Sequence, residues 1–508
     1  GGPTGVVIGD INVPATHGDE SPGRSDVTSG VRLEGVNTYT GGTRLEAGEL
    51  VVTNNASLGP GELNVSGGGG GFTQAVMYGY FEYFDDEMPR LFPDTADLIL
   101  PNNVQIDGTL DVSVDYNSVD KNLELAGNVA GDGGLLKTGS GTLKLSGDNS
   151  AFAGGLYIQA GHVEINSPTA AGTGPIGFGG GYGQSLSFNA TNPTIGGLYD
   201  GEYDGESSSY SSVSISSSSV LTLAVENFDL SYSGMITGAG ALAITGDGTQ
   251  RLTGNNTFTG GLNISGGARV TIDEYSSLGD DSNGPPAVIL DGATLIFNGD
   301  PEDSTGINAA ISFGAGGGSI EGNGQINFND PLGIGNLTKV SPGMSVGSLT
   351  FNGPVEFGEL GTLEVEIGED EFGELIHDVM YADELDITAS MANPFSINLG
   401  GEDGDVPSSF DPSAAESWMI VGGFNPITNF NLDAFQLNVS SDLQTAGGLG
   451  VWSLSLGSSG TAFTETSLSN NALMLNFSPV PEPSTFALFG LGLMMLGWQG
   501  MRRRRTPR

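Results

Sequence analysis

GDGGLLKTGSGTLKLSG, residues 131–147, and GAGALAITGDGTQRLTG, residues 238–254, are two versions of one text. They align without gaps at an offset of 107, and Gly131, Gly133, Leu135, Gly139, Gly141, Thr142, Leu145 and Gly147 each meet the same residue type in the second copy. The likeness continues in DNSAFAGGLYIQAGHVEI (148–165) and NNTFTGGLNISGGARVTI (255–272). A third copy, GVNTYTGGTRLEAGELVVTNNASLG, stands at 35–59, and its ending recurs as YSSLG at 275–279. Within a copy, Leu45, Leu50 and Val52, or Leu262, Ile264, Val270 and Ile272, alternate with polar residues, the period of a strand with one buried face. Glycine pairs and Asn/Thr clusters break these runs at intervals of about six to ten residues, as turns do. No stretch before residue 484 carries an apolar period of 3.6, so the body reads as all-β. Sandwich, propeller and solenoid all use such strands. Tandem similarity at long period favours the parallel solenoid, because each coil buries its face on the next. One period would hold roughly four or five coils, with Gly41, Gly154 and Gly260 at corners, some at positive φ.

Composition agrees. Glycine supplies 85 of 508 residues and apolar residues 37%, low for a globular chain, yet the alternating Val, Ile and Leu are more than disorder would need. Residues 1–501 hold all 60 Asp and Glu but ten of the 15 Lys and Arg, a formal charge of −50. Such a body repels phosphate backbones, which argues against nucleic acid as a partner, and it attracts divalent cations. With no cysteine, disulfides, thiol catalysis and Cys-based zinc sites are excluded. The start, GGPTGVVIGD, has neither Met nor an apolar leader, so a removed secretory signal or a missing start is expected.

The repeats resemble the passenger-associated strand repeats of bacterial autotransporters, close to LxKxGxGTLxLSGxNTYTGGTxxxxGxL. Gly131–Ile165 and Gly238–Ile272 match nearly throughout, and Gly35–Val52 matches the second half. TIGGL (194–198), ISFGAGGGSIEGNG (311–324) and SPGMSVGSLTFNG (341–353) are also similar to pieces of that family. The resemblance implies a right-handed parallel β-helix over residues 31–355, after an N-terminal segment at 1–30. Residues 72–96 are aromatic-rich and match no repeat; they read as an insertion or side flap, or as a binding surface whose Tyr and Phe favour carbohydrate or protein contact. The Ser- and acid-rich 196–220 reads as a long loop. Residues 356–479 change character: GTLEVEIG, ELDIT, FSINLG, SWMIVGGF, AFQLNVS, VWSLSLG and NALMLNFS read as strands of a C-terminal β-rich cap, either further coils or a small sandwich.

The tail, 480–508, differs again. Ser484 to Met501 gives 18 residues with one strongly polar member, Gln499, enough for a helix of roughly 27 Å, near a bilayer's hydrocarbon thickness. Arg502, Arg503, Arg504 and Arg505 follow and act as a membrane stop on the cytoplasmic side, which places the acidic body outside. Pro481, Glu482 and Pro483 precede it. This order resembles the PEP-CTERM sorting signal. It implies recognition by an exosortase, removal of the transmembrane helix near Pro-Glu-Pro after transient residence in the inner membrane, and a final place at the surface of, or outside, a Gram-negative bacterium. Exopolysaccharide or other cell-surface components are the further partners implied. Autotransporters end in a β-barrel of about a dozen strands, for which too few residues follow 355, so another export route is expected.

Chemistry is sparse. Parallel β-helices also host polysaccharide lyases and hydrolases, which need paired carboxylates, or calcium with a Lys or Arg base. His17, His162 and His377 lie far apart, and His162 falls at a repeat turn, where a structural role is expected. Glu369-Asp370-Glu371 and Glu402-Asp403-Gly404-Asp405 carry the oxygen ligands calcium prefers, but neither has the spacing of an EF-hand loop; no metal site or cofactor is assigned. The expectation is a non-enzymatic, exported structural or adhesive protein of the cell surface or biofilm matrix. A carbohydrate-active β-helix enzyme is the alternative.

Overall fold

The computed structural model describes residues 5–8, 30–67, 88–94, 97–114, 121–179, 183–201, 211–273, 277–282, 284–299, 306–343, 345–448, 450–458 and 470–479. The chain divides into two compact units. One holds residues up to 333 with 337–339 and 350–354; the other holds 334–336, 340–349 and 355 onward.

The first unit is all-β and its strands pair in parallel from coil to coil, consistent with a β-solenoid. Each coil contributes to three faces. On the first lie Thr43–Leu45, Leu63–Val65, Val104–Ile106 and Val129–Ala130, and later Val220–Val225, Ala241–Gly246, Leu262–Ser265 and Ala287–Asp291. The second carries Glu49–Val52, Arg90–Pro93, Thr109–Ser113, Gly134–Thr138, Leu156–Ile158, Ile176–Phe178 and Leu198–Asp200, then Asp229–Tyr232, Thr249–Leu252 and Arg269–Asp273. Leu98–Leu100, Asn122–Leu125, Thr142–Leu145, His162–Ile165, Ser185–Phe188, Ser212–Ile215 and Met235–Gly238 form the third.

Register is kept along the stack, so like residues pile on like. Leu110, Leu135, Leu156, Ile176 and Leu198 form one inward column. Leu123, Leu143, Val163, Leu186, Val213 and Ile236 form another. All are essentially inaccessible to solvent. Each such side chain contributes about 1.5–3 kcal/mol of burial, which is what makes the coils cohere.

The repeat does not fix the face. Gly134–Thr138 lies on the second face, whereas its equivalent Ala241–Gly246 lies on the first; Thr142–Leu145 is on the third and Thr249–Leu252 on the second. One period therefore spans four coils and two faces. What the copies share is a local shape. Gly131 and Gly238 have φ of 112° and 106°, and a Cβ on either would sit 2.0 or 2.1 Å from the carbonyl of Ile106 or Ile215 in the coil before.

The corner glycines divide their labour. Positive φ belongs to the second glycine of each pair, Gly42 (77°), Gly155 (81°) and Gly261 (85°), not to Gly41, Gly154 or Gly260. Gly154 is needed for closeness instead: a Cβ there would lie 1.8 Å from the Gly133 oxygen, and one on Gly133 would lie 1.9 Å from the Gly108 oxygen. These glycines stack coil upon coil with backbone on backbone, where a side chain has no room.

Two segments differ from the sequence reading. Arg90–Pro93, inside the stretch 72–96 set apart as an insertion, is a strand of the second face with Leu91 buried; 68–87 and 95–96 lie outside the described residues. Likewise, strands Leu198–Asp200 and Ser212–Ile215 occupy much of the expected loop 196–220, of which 202–210 lie outside the described residues.

The second unit has both parallel and antiparallel pairings. Thr362–Glu369, Phe395–Gly401 and Phe435–Val439 pair in parallel, and so do Val379–Ile387 and Glu416–Gly423. Ala472–Ser478 then runs antiparallel between Glu416–Gly423 and Val451–Gly457. All seven expected segments contain or form strands. Phe410, Trp418, Trp452 and Phe477 build an aromatic cluster with ring centroids 4.9–5.8 Å apart. A short helix, Ser441–Gly447, was not legible in the sequence. Ser440 caps it by accepting from the Leu443 amide, Leu443 is buried, and Gly448 ends it at φ 59°.

Candidate functional site

The outer faces of the first unit are ladders of polar side chains. Thr142, His162, Ser185 and Ser212 stand in register on one face, and beside them Glu124, Lys144, Glu164 and Ser187. His162 opens a strand rather than a turn; its Nδ1 lies 2.7 Å from Ser185 Oγ, and burial lowers its pKa against the raising influence of Glu164. The scarce cations are consumed in ion pairs, most of them between coils. Arg251 grips both carboxylate oxygens of Asp273 at 2.8 Å. Arg269 and Lys339 share Glu321 at 3.0 and 3.1 Å. Lys144 meets Glu164 at 3.2 Å and Arg44 meets Glu46 at 2.8 Å. With so few cations, nearly all of them matched among the described residues, the acidic excess faces solvent, an arrangement that disfavours polyanions.

The interior holds polar residues with structural tasks. Lys137 replaces an apolar residue in an inward column between Val112 and Ile158. Its Nζ donates to the carbonyls of Thr138, Gly139 and Ala160 at 2.8, 2.6 and 3.0 Å, and burial pulls its pKa down to about 7. The second copy has Ile244 at this place. Asp111, also buried, is pushed up to about 6 by desolvation despite the Thr138 hydroxyl and Arg90. Asn149 and Asn256, equivalent in the two copies, clip coils together. Their Oδ1 atoms accept from the amides of Val129 and Ile236, each 20 residues earlier, at 2.6 and 2.9 Å. Gln250 spans the boundary between Leu198–Asp200 and Asp229–Tyr232. It accepts from the Leu198 amide and donates to the carbonyls of Leu198 and Leu230.

In the second unit Asp378 is fully buried and accepts from the amides of Gly347 and Glu366, each at 2.8 Å. Burial pushes it up to about 8, and the neighbouring Glu366 and Glu402 act in the same direction. His377 has its Nε2 3.1 Å from the Met419 carbonyl, and burial lowers its pKa. The acidic runs are engaged in hydrogen bonds, Asp370 within its own turn and Glu369 and Glu402 with distant segments. Glu369 accepts from the Ser409 amide and the Ser408 hydroxyl, Asp370 from the amides of Phe372 and Glu374, and Glu402 from the Ser345 hydroxyl. Among the described residues no three His, Asp or Glu converge to hold a metal ion. Of the carboxyls with raised pKa, Asp111 and Asp378 are sealed from solvent and cannot reach a polysaccharide, while Asp383, raised by burial and the neighbouring Glu384, is half-buried.

Pro481, Glu482, Pro483 and Arg502–Arg505 lie outside the described residues, as do the apolar stretch 484–501 and His17. Among the described residues no helix is long and apolar enough to cross a membrane. The last described strand, Ala472–Ser478, stops two residues before the Pro-Glu-Pro triplet.

Comparison with known proteins bears on both parts. The passenger-associated-transport-repeat family model matches residues 31–52, 135–165 and 242–268, the three copies that the strands above build into coils. Residues 479–505 match the model of the PEP-CTERM protein-sorting motif. The chain carries passenger-associated-transport repeats and a PEP-CTERM sorting motif. It is also 31% identical over 215 residues to the adhesin BmaC autotransporter of Brucella suis biovar 1 (strain 1330). That match covers 41% of this chain and 6% of that protein, so the chain spans a small part of the relative's length. Repeats and sorting motif together mark the chain for export to the cell surface of a Gram-negative bacterium, and the motif implies processing by an exosortase.

Proposed function

We propose that the protein is a structural or adhesive component of the cell surface or biofilm matrix, sorted there by an exosortase. The observation that carries this is the union, in one chain, of passenger repeats stacked as parallel coils with a PEP-CTERM motif. Residues 31–355 form a right-handed parallel β-helix whose ladders offer a repetitive, acidic contact surface. Residues 356–479 are a C-terminal β-rich region and 1–30 an N-terminal segment. In 480–508, Pro481-Glu482-Pro483 is the processing motif, 484–501 a transient transmembrane helix in the inner membrane, and Arg502–Arg505 its cytoplasmic stop. Exopolysaccharide or other surface components are the partners. The similarity to an adhesin over 215 residues supports contact rather than catalysis.

The test compares host cells carrying the intact gene, a deletion of residues 31–355 that keeps the tail, and a deletion of the tail. Adherence and matrix retention should fall with the first deletion, and surface delivery should fail with the second. Unchanged adherence and retention without 31–355 would refute a structural or adhesive role.

A further inference from the structure

The last strand, Ala472–Ser478, is central in its sheet. It pairs with Glu416–Gly423 on one edge and with Val451–Gly457 on the other. Phe477 stands opposite both Glu416 and Trp452, and Ser478 is still paired, with Val451. Its inward side chains Leu473, Leu475 and Phe477 are essentially inaccessible, and Phe477 sits among Phe410 and Trp452. Two residues, Pro479 and Val480, separate this strand from Pro481.

That tether is short. Three residue steps from Ser478 to Pro481 reach at most roughly 10 Å, and six steps to Ser484 roughly 20 Å. A protease takes its substrate as an extended segment that offers a backbone edge on both sides of the scissile bond. Once seated, the strand is paired on both edges as far as Phe477 and on one edge at Ser478, and a rigid sheet then stands within one strand-width or two of the motif. Resting on the sorting reading above, we propose that this strand gates processing: the exosortase acts on chains in which Ala472–Ser478 is not yet seated between its two neighbours. Seating closes the window. Folding of the body and removal of the tail thus compete, and the order of the two events decides whether a given chain is released or stays in the membrane.

The test is a pulse-chase of tail removal in the native host, using the full chain. A ten-residue Gly/Ser spacer between Pro479 and Val480 leaves the sheet intact and frees the motif; removal should be roughly ten-fold faster or more. Phe477→Ala at wild-type spacing unseats the strand more often and should accelerate removal similarly. Combined, the two should be no faster than the spacer alone. Equal rates for wild type and spacer chain would overturn the gate. Replacement of Pro481-Glu482-Pro483 by alanines separates the two ideas. If such chains are still trimmed, the sorting reading fails; if they are untrimmed while spacer and wild type run alike, the gate alone fails. A tail that is retained in both wild type and spacer chain refutes both.

Discussion

Gly154→Ala and Gly266→Ala add the same methyl group at two corners of the stack, and close coil contact makes very different demands of them. At Gly154 the new Cβ would lie 1.8 Å from the Gly133 oxygen, 2.4 Å from its carbon and 2.6 Å from the Asp132 oxygen, all of them backbone. The coils must part by more than about 1 Å there, since no side chain can yield. The flanking bonds Ala153 N–H to Gly131 O and Leu135 N–H to Gly155 O, now 3.0 and 3.1 Å, would pass beyond hydrogen-bond range. Two buried backbone bonds lost at about 1–3 kcal/mol each give a penalty of about 2–6 kcal/mol. At Gly266 the nearest atom to a Cβ is 3.4 Å away, so only the left-handed φ of 71° is at issue, costing about 1–2 kcal/mol. Urea unfolding followed by circular dichroism should therefore show a midpoint loss for Gly154→Ala at least twice that for Gly266→Ala. Similar losses, or the reverse order, would refute close stacking at this corner.

Asn149→Ala removes a buried acceptor from Val129 N–H and a donor to Ala170 O, both at 2.6 Å, and should cost about 2–4 kcal/mol in the same assay. Asn166→Ala, whose exposed side chain makes a 3.5 Å contact to Ser146 and accepts from the exposed Asn189 at 3.0 Å, should cost no more than about 1 kcal/mol. Lys137 has a folded pKa near 7 against 10.5 when unfolded, so the unfolded chain holds more protons in that window and stability should rise with pH from 7 to 10.5. Thermal melts of Lys137→Met should lose that slope. Asp378 has the opposite sign: its folded pKa of about 8 against 3.8 gives a contribution full below pH 3.8 and lost as pH rises through 8, and Asp378→Asn should flatten melting temperatures across that range.

How far the sequence reveals this fold depends on what each residue does. Alternation at Leu45, Leu50 and Val52, or at Leu262 and Ile264, reports a buried face directly, so strands and parallel stacking are legible. The face a copy occupies is not, because a strand–corner–strand text fits any of three near-equivalent sides, and coil lengths vary between copies. A glycine pair announces a corner without saying which member needs positive φ and which needs nearness; Gly154 and Gly155 split those tasks. Lys137 and Gln250 are buried, and a polar residue on an inward position leaves no mark in the pattern. Their partners are backbone carbonyls and amides, which a sequence does not display. The helix Ser441–Gly447 spans too few residues to show a period. Asn149 and Asn256 did carry a signal: each follows the Gly-rich half of its copy at the same offset. Only coordinates show their oxygens reaching back one coil. The sorting motif is legible from its order alone, since proline chemistry, apolar length and arginine placement each report a separate physical property.

Intact mass of the protein recovered from the surface of its native host tests the sorting reading most directly. Because Pro481-Glu482-Pro483 cannot continue a helix, it should lie extended at the membrane boundary and be cut there. The predicted result is a chain lacking roughly its last 25 residues, with Arg502–Arg505 gone and the strand ending at Ser478 retained. Surface protein that still carries Arg502–Arg505 would contradict it and make the tail a permanent anchor.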